Sequence, residues 1–194
     1  MKKTLVLLLS IIAVAGFAQK SEIRVELDAS KDKIPLKPIY TQDLQMDNPE
    51  WKGVNKEYFL YITSKKIDEN WREFALIFTP EKSGKVKLIL RGPQCKDPGS
   101  KKNLPIWVAY DSIQIIDAEC QNPDFEELSV SGVIAGWAGD CNNVVKNTGD
   151  ARSGNRFAKV CYDLPLTQEI TVKKDHQVTI KFSVKTLGKD GTVE

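Results

Sequence analysis

The chain has 194 residues, with 28 basic side chains against 26 acidic ones and a single histidine, for a formal charge of +2. That balance lacks the basic excess with which nucleic-acid binders neutralise phosphates, so no nucleic-acid partner is expected. With 41% apolar residues and no low-complexity tract, the composition is that of a folded domain and not of a disordered or fibrous chain.

At the amino end, Lys2 and Lys3 precede an apolar run from Leu5 to Phe17, closed by Gly16, Phe17 and Ala18. A basic tip, an apolar middle and small residues at its end make a secretory signal over residues 1–18, with cleavage expected after Ala18. The run falls short of the roughly 20 apolar residues of a spanning helix. The expectation is an exported protein, periplasmic, surface-bound or secreted, with no membrane span after cleavage. Residues 1–18 hold no acid, so the remaining chain is formally neutral. Residues 19–194 suit one hydrophobic core better than two.

The strands follow in order. In SEIRVELDAS, Ile23, Val25 and Leu27 alternate with charged residues, as in a half-buried strand. Residues 31–56, rich in Pro, Lys, Asp and Asn, predict a long loop. EYFLYITS predicts a short strand, and WREFALIFTP puts Phe74, Leu76 and Phe78 on one face. KVKLILR sets Val86, Leu88 and Leu90 against Lys85, Lys87 and Arg91. After a polar loop, IWVAYDSIQII is a strand whose apolar phase slips near Asp111, which predicts a bulge or a site there. SGVIAGWAGDCNN predicts a glycine-rich loop, and NRFAKVCYDL and TQEITV predict strands. HQVTIKFSVKT has the cleanest alternation, with Val178, Ile180, Phe182 and Val184 on one face. No amphipathic helix is expected after the signal. Many short strands between Gly, Pro and Asn turns predict an all-β sandwich or jelly roll.

Cys95, Cys120, Cys141 and Cys161 allow two disulfides in three pairings. Cys141 and Cys161 enclose a loop rich in Asn, Gly and Ser, which favours that bridge, with buried free thiols as the alternative. No pair has CxxC spacing, so a zinc site is not expected. His176 sits in the polar stretch KKDHQVT and is expected on the surface. Without a second histidine or a nucleophile-elbow pattern around Ser153, no catalytic residues are assigned. Chance carboxylate pairs such as Glu126 and Glu127 leave a glycan hydrolase as a minor alternative.

Residues 119–194 carry NPDFEE, the Gly136-Trp137 pair, ARSGNRFAKV, LTQEITV and HQVTIKFSVKT. Residues 22–118 carry EIRVEL, NWREFALIFTPEKSGKVKLILRG and IWVAYDSIQI. The first set resembles the front half of a carbohydrate-binding module of the family 4/9 type, within the galactose-binding-like jelly-roll class. The second set resembles its back half. The halves stand in inverted order, so the resemblance implies one circularly permuted jelly roll over residues 19–194, fused at Asp117–Asn122. Its new termini would lie in a mid-domain loop, with GKDGTVE beside SEIRVEL. Permutation at exposed loops is tolerated because domain termini usually lie close together. A fragment of a tandem array, and a small sandwich with an appendage, are the competing arrangements.

The resemblance also implies a non-catalytic glycan binder, and a structural calcium held by the Glu of the opening motif and an Asp of the closing strand, here Glu126 and Asp111. Asp111 stands alone before Ser112, where the family often has paired acids. Flat sugar faces suit aromatic rings with polar groups beside them. Trp51, in the polar loop NPEWKG, and Trp107, on the face opposite Val108, are the expected sugar-stacking residues, with Tyr58 and Arg91 in support. Trp71 is expected to be structural, and Trp137 to be a lid on the core, with the rim of the cleft as the alternative. A protein-interaction or surface-scaffold module is the alternative use of the same aromatics.

Overall fold

In the computed structural model the described residues are 23–39, 50–51, 58–64, 67–146 and 149–188, with only the backbone described at Glu50, Trp51, Thr63 and Ser64. The signal segment 1–18, and the carboxy-terminal residues expected beside Ile23, lie outside them. Eleven strands are present among the described residues: β1 (Ile23–Asp28), β2 (Leu36–Ile39), β3 (Glu50–Trp51), β4 (Phe59–Ser64), β5 (Arg72–Pro80), β6 (Gly84–Arg91), β7 (Val108–Ile116), β8 (Val144–Lys146), β9 (Arg156–Val160), β10 (Leu166–Val172) and β11 (Val178–Thr186). A single 3-10 turn, Cys141–Asn143, is the only helical element described, and no described helix could cross a membrane.

The strands form two antiparallel sheets, a five-stranded one ordered β10-β6-β1-β4-β3 and a six-stranded one ordered β2-β5-β11-β7-β9-β8. The chain is thus all-β, with the two-sheet arrangement of a β-sandwich. Alternation explains the packing. Ile23, Val25 and Leu27 of β1, with Val86, Leu88 and Leu90 of β6, turn inward. They meet Phe74, Leu76 and Phe78 of β5 and Val178, Ile180 and Phe182 of β11 in one main core. Phe74 and Phe182 stack there with ring centroids 5.7 Å apart.

Strands from the two sequence segments share both sheets. β10 pairs along β6, β11 lies between β5 and β7, and β9 pairs with β7. Neither segment closes its own apolar face. The join between them, after β7, is held down at several points. Ile113 N–H donates to the Pro123 carbonyl, and Gln121 N–H donates to Gln168 Oε1 of β10. Trp137 Nε1 donates to the Gln121 carbonyl at 3.0 Å. The Trp137 ring lies against the fully buried Phe125 with centroids 5.3 Å apart, so Trp137 is a core residue as expected.

Three strands depart from the expected loops. β2 and β3 fall inside residues 31–56, and β8 follows the glycine-rich stretch. All three are edge strands of two to four residues, too short for alternation to register. Pro38 within β2 fits an edge position, where a missing N–H costs no central ladder bond. The bulge expected near Asp111 is present. The β7–β11 register shifts between Lys181 and Ser183, leaving Ser112 and Ile113 opposite Phe182, with Ser112 at φ 53°.

Candidate functional site

The outward face of the five-stranded sheet concentrates charge and aromatic rings. On β1 the period-2 rule turns Arg24 and Glu26 to the same outward side. Arg24 lies opposite Arg91 of β6, and Glu26 opposite Tyr61 of β4. The Glu26 side chain, only 5% exposed, stands between two guanidinium groups. Its Oε1 is 2.5 Å from Arg24 Nε and its Oε2 is 3.3 Å from Arg91 Nε. Arg91 Nη1 also donates to the Tyr162 carbonyl at 2.7 Å. The Arg24 guanidinium lies over the Tyr61 ring at 4.8 Å and near that of Tyr162 at 5.8 Å, and Arg91 lies over Tyr162 at 5.2 Å. Phe59 extends the row, meeting Tyr61 edge-on at 6.0 Å.

Tyr162 reaches this face from the turn after β9 because of Gly92. A side-chain carbon at position 92 would sit 2.6 Å from the Ile106 carbonyl oxygen and 2.9 Å from Cys161 Cα. Both are backbone atoms and cannot give way, so only glycine lets the end of β6 approach Cys161 and place Tyr162 beside Arg91. The result is a fixed array of two guanidinium forks, one carboxylate and two phenol rings, all half-buried except Glu26. Such an array holds planar donors against flat apolar faces.

The outward face of the six-stranded sheet is built differently. Trp71 meets Phe157 edge-on at 5.6 Å and donates from Nε1 to the Asp150 carbonyl at 2.7 Å. Lys185, nearly buried, pairs with Asp150 and lies 5.0 Å from the Trp71 ring. Trp107 joins this second apolar cluster with Lys159 Nζ 4.8 Å above its ring. Beside the cluster, at the β7 bulge, is a hollow of about 300 Å³ lined by Glu73, Phe74, Ser112, Gln114, Lys181, Phe182 and Ser183.

The four expected sugar-contacting residues therefore do not form one groove. Trp107 points away from the main core, as its phase predicted, but onto the six-stranded side. Arg91 is on the opposite side of the sandwich. Tyr58 packs against the main core, and its carbonyl accepts the Ala29 N–H at 2.7 Å. Trp51 pairs with Ile62 at the edge of the five-stranded sheet, and its side chain lies outside the described structure. Arg24, Glu26, Tyr61 and Tyr162 were not singled out in the sequence. The only signal available was Arg and Glu two residues apart on a strand.

Asp111 and Glu126 do come to neighbouring places, but as a clamp on a turn. Asp111 is fully buried. Its Oδ2 accepts the N–H groups of Arg152 at 2.8 Å and Ser153 at 3.0 Å, and its Oδ1 accepts Ser112 N–H at 2.6 Å and the Ser153 hydroxyl at 3.0 Å. Burial pushes the Asp111 carboxyl above the ordinary range, while these donors pull it back. Glu126 Oε1 accepts the N–H groups of Asn155 at 2.6 Å and Arg156 at 2.7 Å, and Arg156 Nη1 lies 3.3 Å from Oε2. The two acids hold opposite ends of the turn 152–156. N–H donors and a guanidinium occupy the oxygens a calcium ion would need, and no group of three or more His, Cys, Asp or Glu side chains placed to hold a metal occurs among the described residues. The residues present do not fit a calcium site, which takes six to eight oxygen ligands.

All four cysteines are free thiols, so the favoured Cys141–Cys161 bridge is not formed. Cys141 is exposed on the 3-10 turn with its Sγ at Asp140 Oδ1, whereas Cys161 is buried beside Gly92. Asp140 caps that turn through its side chain and is held below the ordinary carboxylate range by the Asn142 N–H. His176 is exposed in the turn before β11, as expected. No family model, curated protein or solved structure matches the chain.

Proposed function

We propose that the chain is an exported, non-catalytic carbohydrate-binding sandwich that takes a glycan on the outward face of its five-stranded sheet. The observation that carries the reading is the pair of tyrosine rings, Tyr61 and Tyr162, set beside guanidinium groups that Glu26 fixes in place. Sugar rings offer flat C–H faces to such aromatics and hydroxyls to such donors. The circularly permuted galactose-binding-like jelly roll belongs to the same proposal. It is supported by the order of the sequence motifs and by the way strands of residues 119–194 enter both sheets of residues 22–118. The amino-terminal sequence supports export.

Affinity electrophoresis against a panel of soluble polysaccharides tests the reading. At least one polymer retards the protein, and Tyr162→Ala and Tyr61→Ala each weaken retardation about tenfold or more, as loss of an aromatic anchor does. Trp107→Ala, on the other side of the sandwich, leaves it unchanged. Retardation by no polymer, or equal loss on replacing Trp107, rejects the assignment.

A further inference from the structure

We propose that the glycan bound on this face is acidic, and that Arg24 and Arg91 receive the carboxylate of a uronic acid residue. This rests on the glycan-binding reading above. Two guanidinium groups share one carboxylate, Glu26, so the cluster carries one uncompensated positive charge. Among the described residues Arg24 is engaged by that ion pair and by the two rings, and its terminal amino groups donate no hydrogen bond there. Arg91 uses Nε and Nη1 on Glu26 and the Tyr162 carbonyl, which leaves Nη2. Guanidinium offers donors and no acceptor. The one carboxylate of the cluster, Glu26, is nearly buried and already faces a cation on each oxygen, which leaves the Tyr61 and Tyr162 hydroxyls as its other side-chain acceptors. A neutral sugar needs acceptors for its hydroxyl protons as well as donors for its oxygens, and here it would find few. A carboxylate needs donors alone, and a planar fork matches it in a bidentate way.

Charge along the face agrees. On β1, β6 and β10 the outward positions hold Arg24, Lys85, Lys87 and Arg91 against Glu26, Asp28 and Glu169. Lys85 is paired with Glu169, and Lys31 reaches the same carboxylate from the loop after β1. Lys87 is exposed with no ion pair among the described residues. It stands on the same side of β6 as Arg91, four residues away. A polymer carrying a carboxylate on each residue could meet Arg91 and Lys87 in turn.

The test compares polygalacturonate, alginate and a neutral xylan with polygalacturonate whose carboxyl groups have been reduced to alcohols. Titration calorimetry on the full chain gives the affinities. Expected is binding to a uronate polymer, weakened roughly ten- to a hundredfold by carboxyl reduction and by Arg24→Gln. Lys87→Gln, at an exposed position with no ion pair among the described residues, weakens it by a smaller factor. Thermal unfolding of each variant separates lost binding from lost fold, and Lys87→Gln keeps the test open should Arg24→Gln not fold. Equal affinity for the reduced polymer, binding to the neutral xylan alone, or binding to sulfated carrageenan in place of uronates overturns the acidic-glycan inference and leaves glycan binding standing. Binding to none of these polymers removes both.

Discussion

Replacing Asp111 by Asn isolates the clamp that orders the turn 152–156. The side chain keeps its shape and Oδ1, which still accepts Ser112 N–H and the Ser153 hydroxyl. Oδ2 becomes an amide NH₂ facing the N–H groups of Arg152 and Ser153, two donors that lose their acceptor. Hydrogen bonds to a charged acceptor contribute about 1.5–3 kcal/mol each. Relief of the buried carboxylate's desolvation, which pushes its pKa up, offsets part of the loss. A net destabilisation of about 3 kcal/mol follows, or roughly 6–12 °C in Tm for a chain of this size. Guanidinium unfolding followed by tryptophan fluorescence measures it, and an unchanged m-value shows that the native and unfolded states compared are the same. A loss below about 1 kcal/mol would mean that the two Oδ2 bonds do not hold the turn. A loss reproduced in the parent protein by a chelator would mean that Asp111 serves a metal.

Adding millimolar calcium, or a chelator, is expected to leave Tm of the parent protein unchanged within about 1 °C, because a ligand stabilises only what it binds; a calcium-dependent rise contradicts the filled carboxylates of Asp111 and Glu126. Gly154→Ala should destabilise by about 1–2 kcal/mol in the same unfolding assay, since φ is +58° and the added carbon runs into the Glu126 carboxylate; a neutral result removes Glu126 from the clamp. The Asp97 and Asp140 carboxyls are held below the ordinary range, chiefly by the Ser100 and Asn142 N–H groups respectively. Their folded pKa values lie below the unfolded ones, so their stabilisation is complete above about pH 5 and is lost as pH falls through the folded values. Unfolding free energy measured between about pH 5 and pH 2 should fall less steeply in Asp140→Asn than in the parent, and parallel slopes refute the cap. Native thiol labelling followed by peptide mass mapping should find Cys141 first and Cys161 only on unfolding. Cys120, whose thiol burial pushes up to about 11, should label slowly; an unreduced mass lighter by the two hydrogens of a disulfide contradicts the free thiols.

Much of the sandwich was legible because inward-facing residues alternate. β1, β5, β6 and β11 all follow that rule, and the slipped phase at Asp111 located the bulge before any coordinates. β2, β3 and β8 were not legible, since two to four residues at a sheet edge leave too short a pattern. The candidate site was barely legible for a different reason. Alternation tells which side of its own strand a residue occupies, but not which sheet the strand joins. Trp107 and Arg91 both face outward as strand phase suggests, yet they lie on opposite outer faces of the sandwich. Tyr162 was expected within the strand NRFAKVCYDL, but β9 ends at Val160 and Tyr162 lies in the turn after it, reaching Arg91 through the close approach at Gly92.

Asp111 and Glu126 were paired in the sequence as calcium ligands, and their carboxylates accept the N–H groups of one turn. The two motifs around them do converge, and the convergence has a use without a metal. The turn 152–156 leaves its N–H groups without strand partners on the way into β9, and an unpaired buried N–H costs free energy comparable to a lost hydrogen bond. Asp111 supplies acceptors for Arg152 and Ser153 from β7, and Glu126 does so for Asn155 and Arg156 from the segment join. β9, so anchored, pairs with β7 and carries the chain on to Cys161 and Tyr162. The clamp on one side of the sandwich therefore fixes the path that delivers a ring to the arginines on the other. Arg24, Glu26, Tyr61 and Arg91 come from the first segment and Tyr162 from the second, so the array exists only where both segments build the same two sheets.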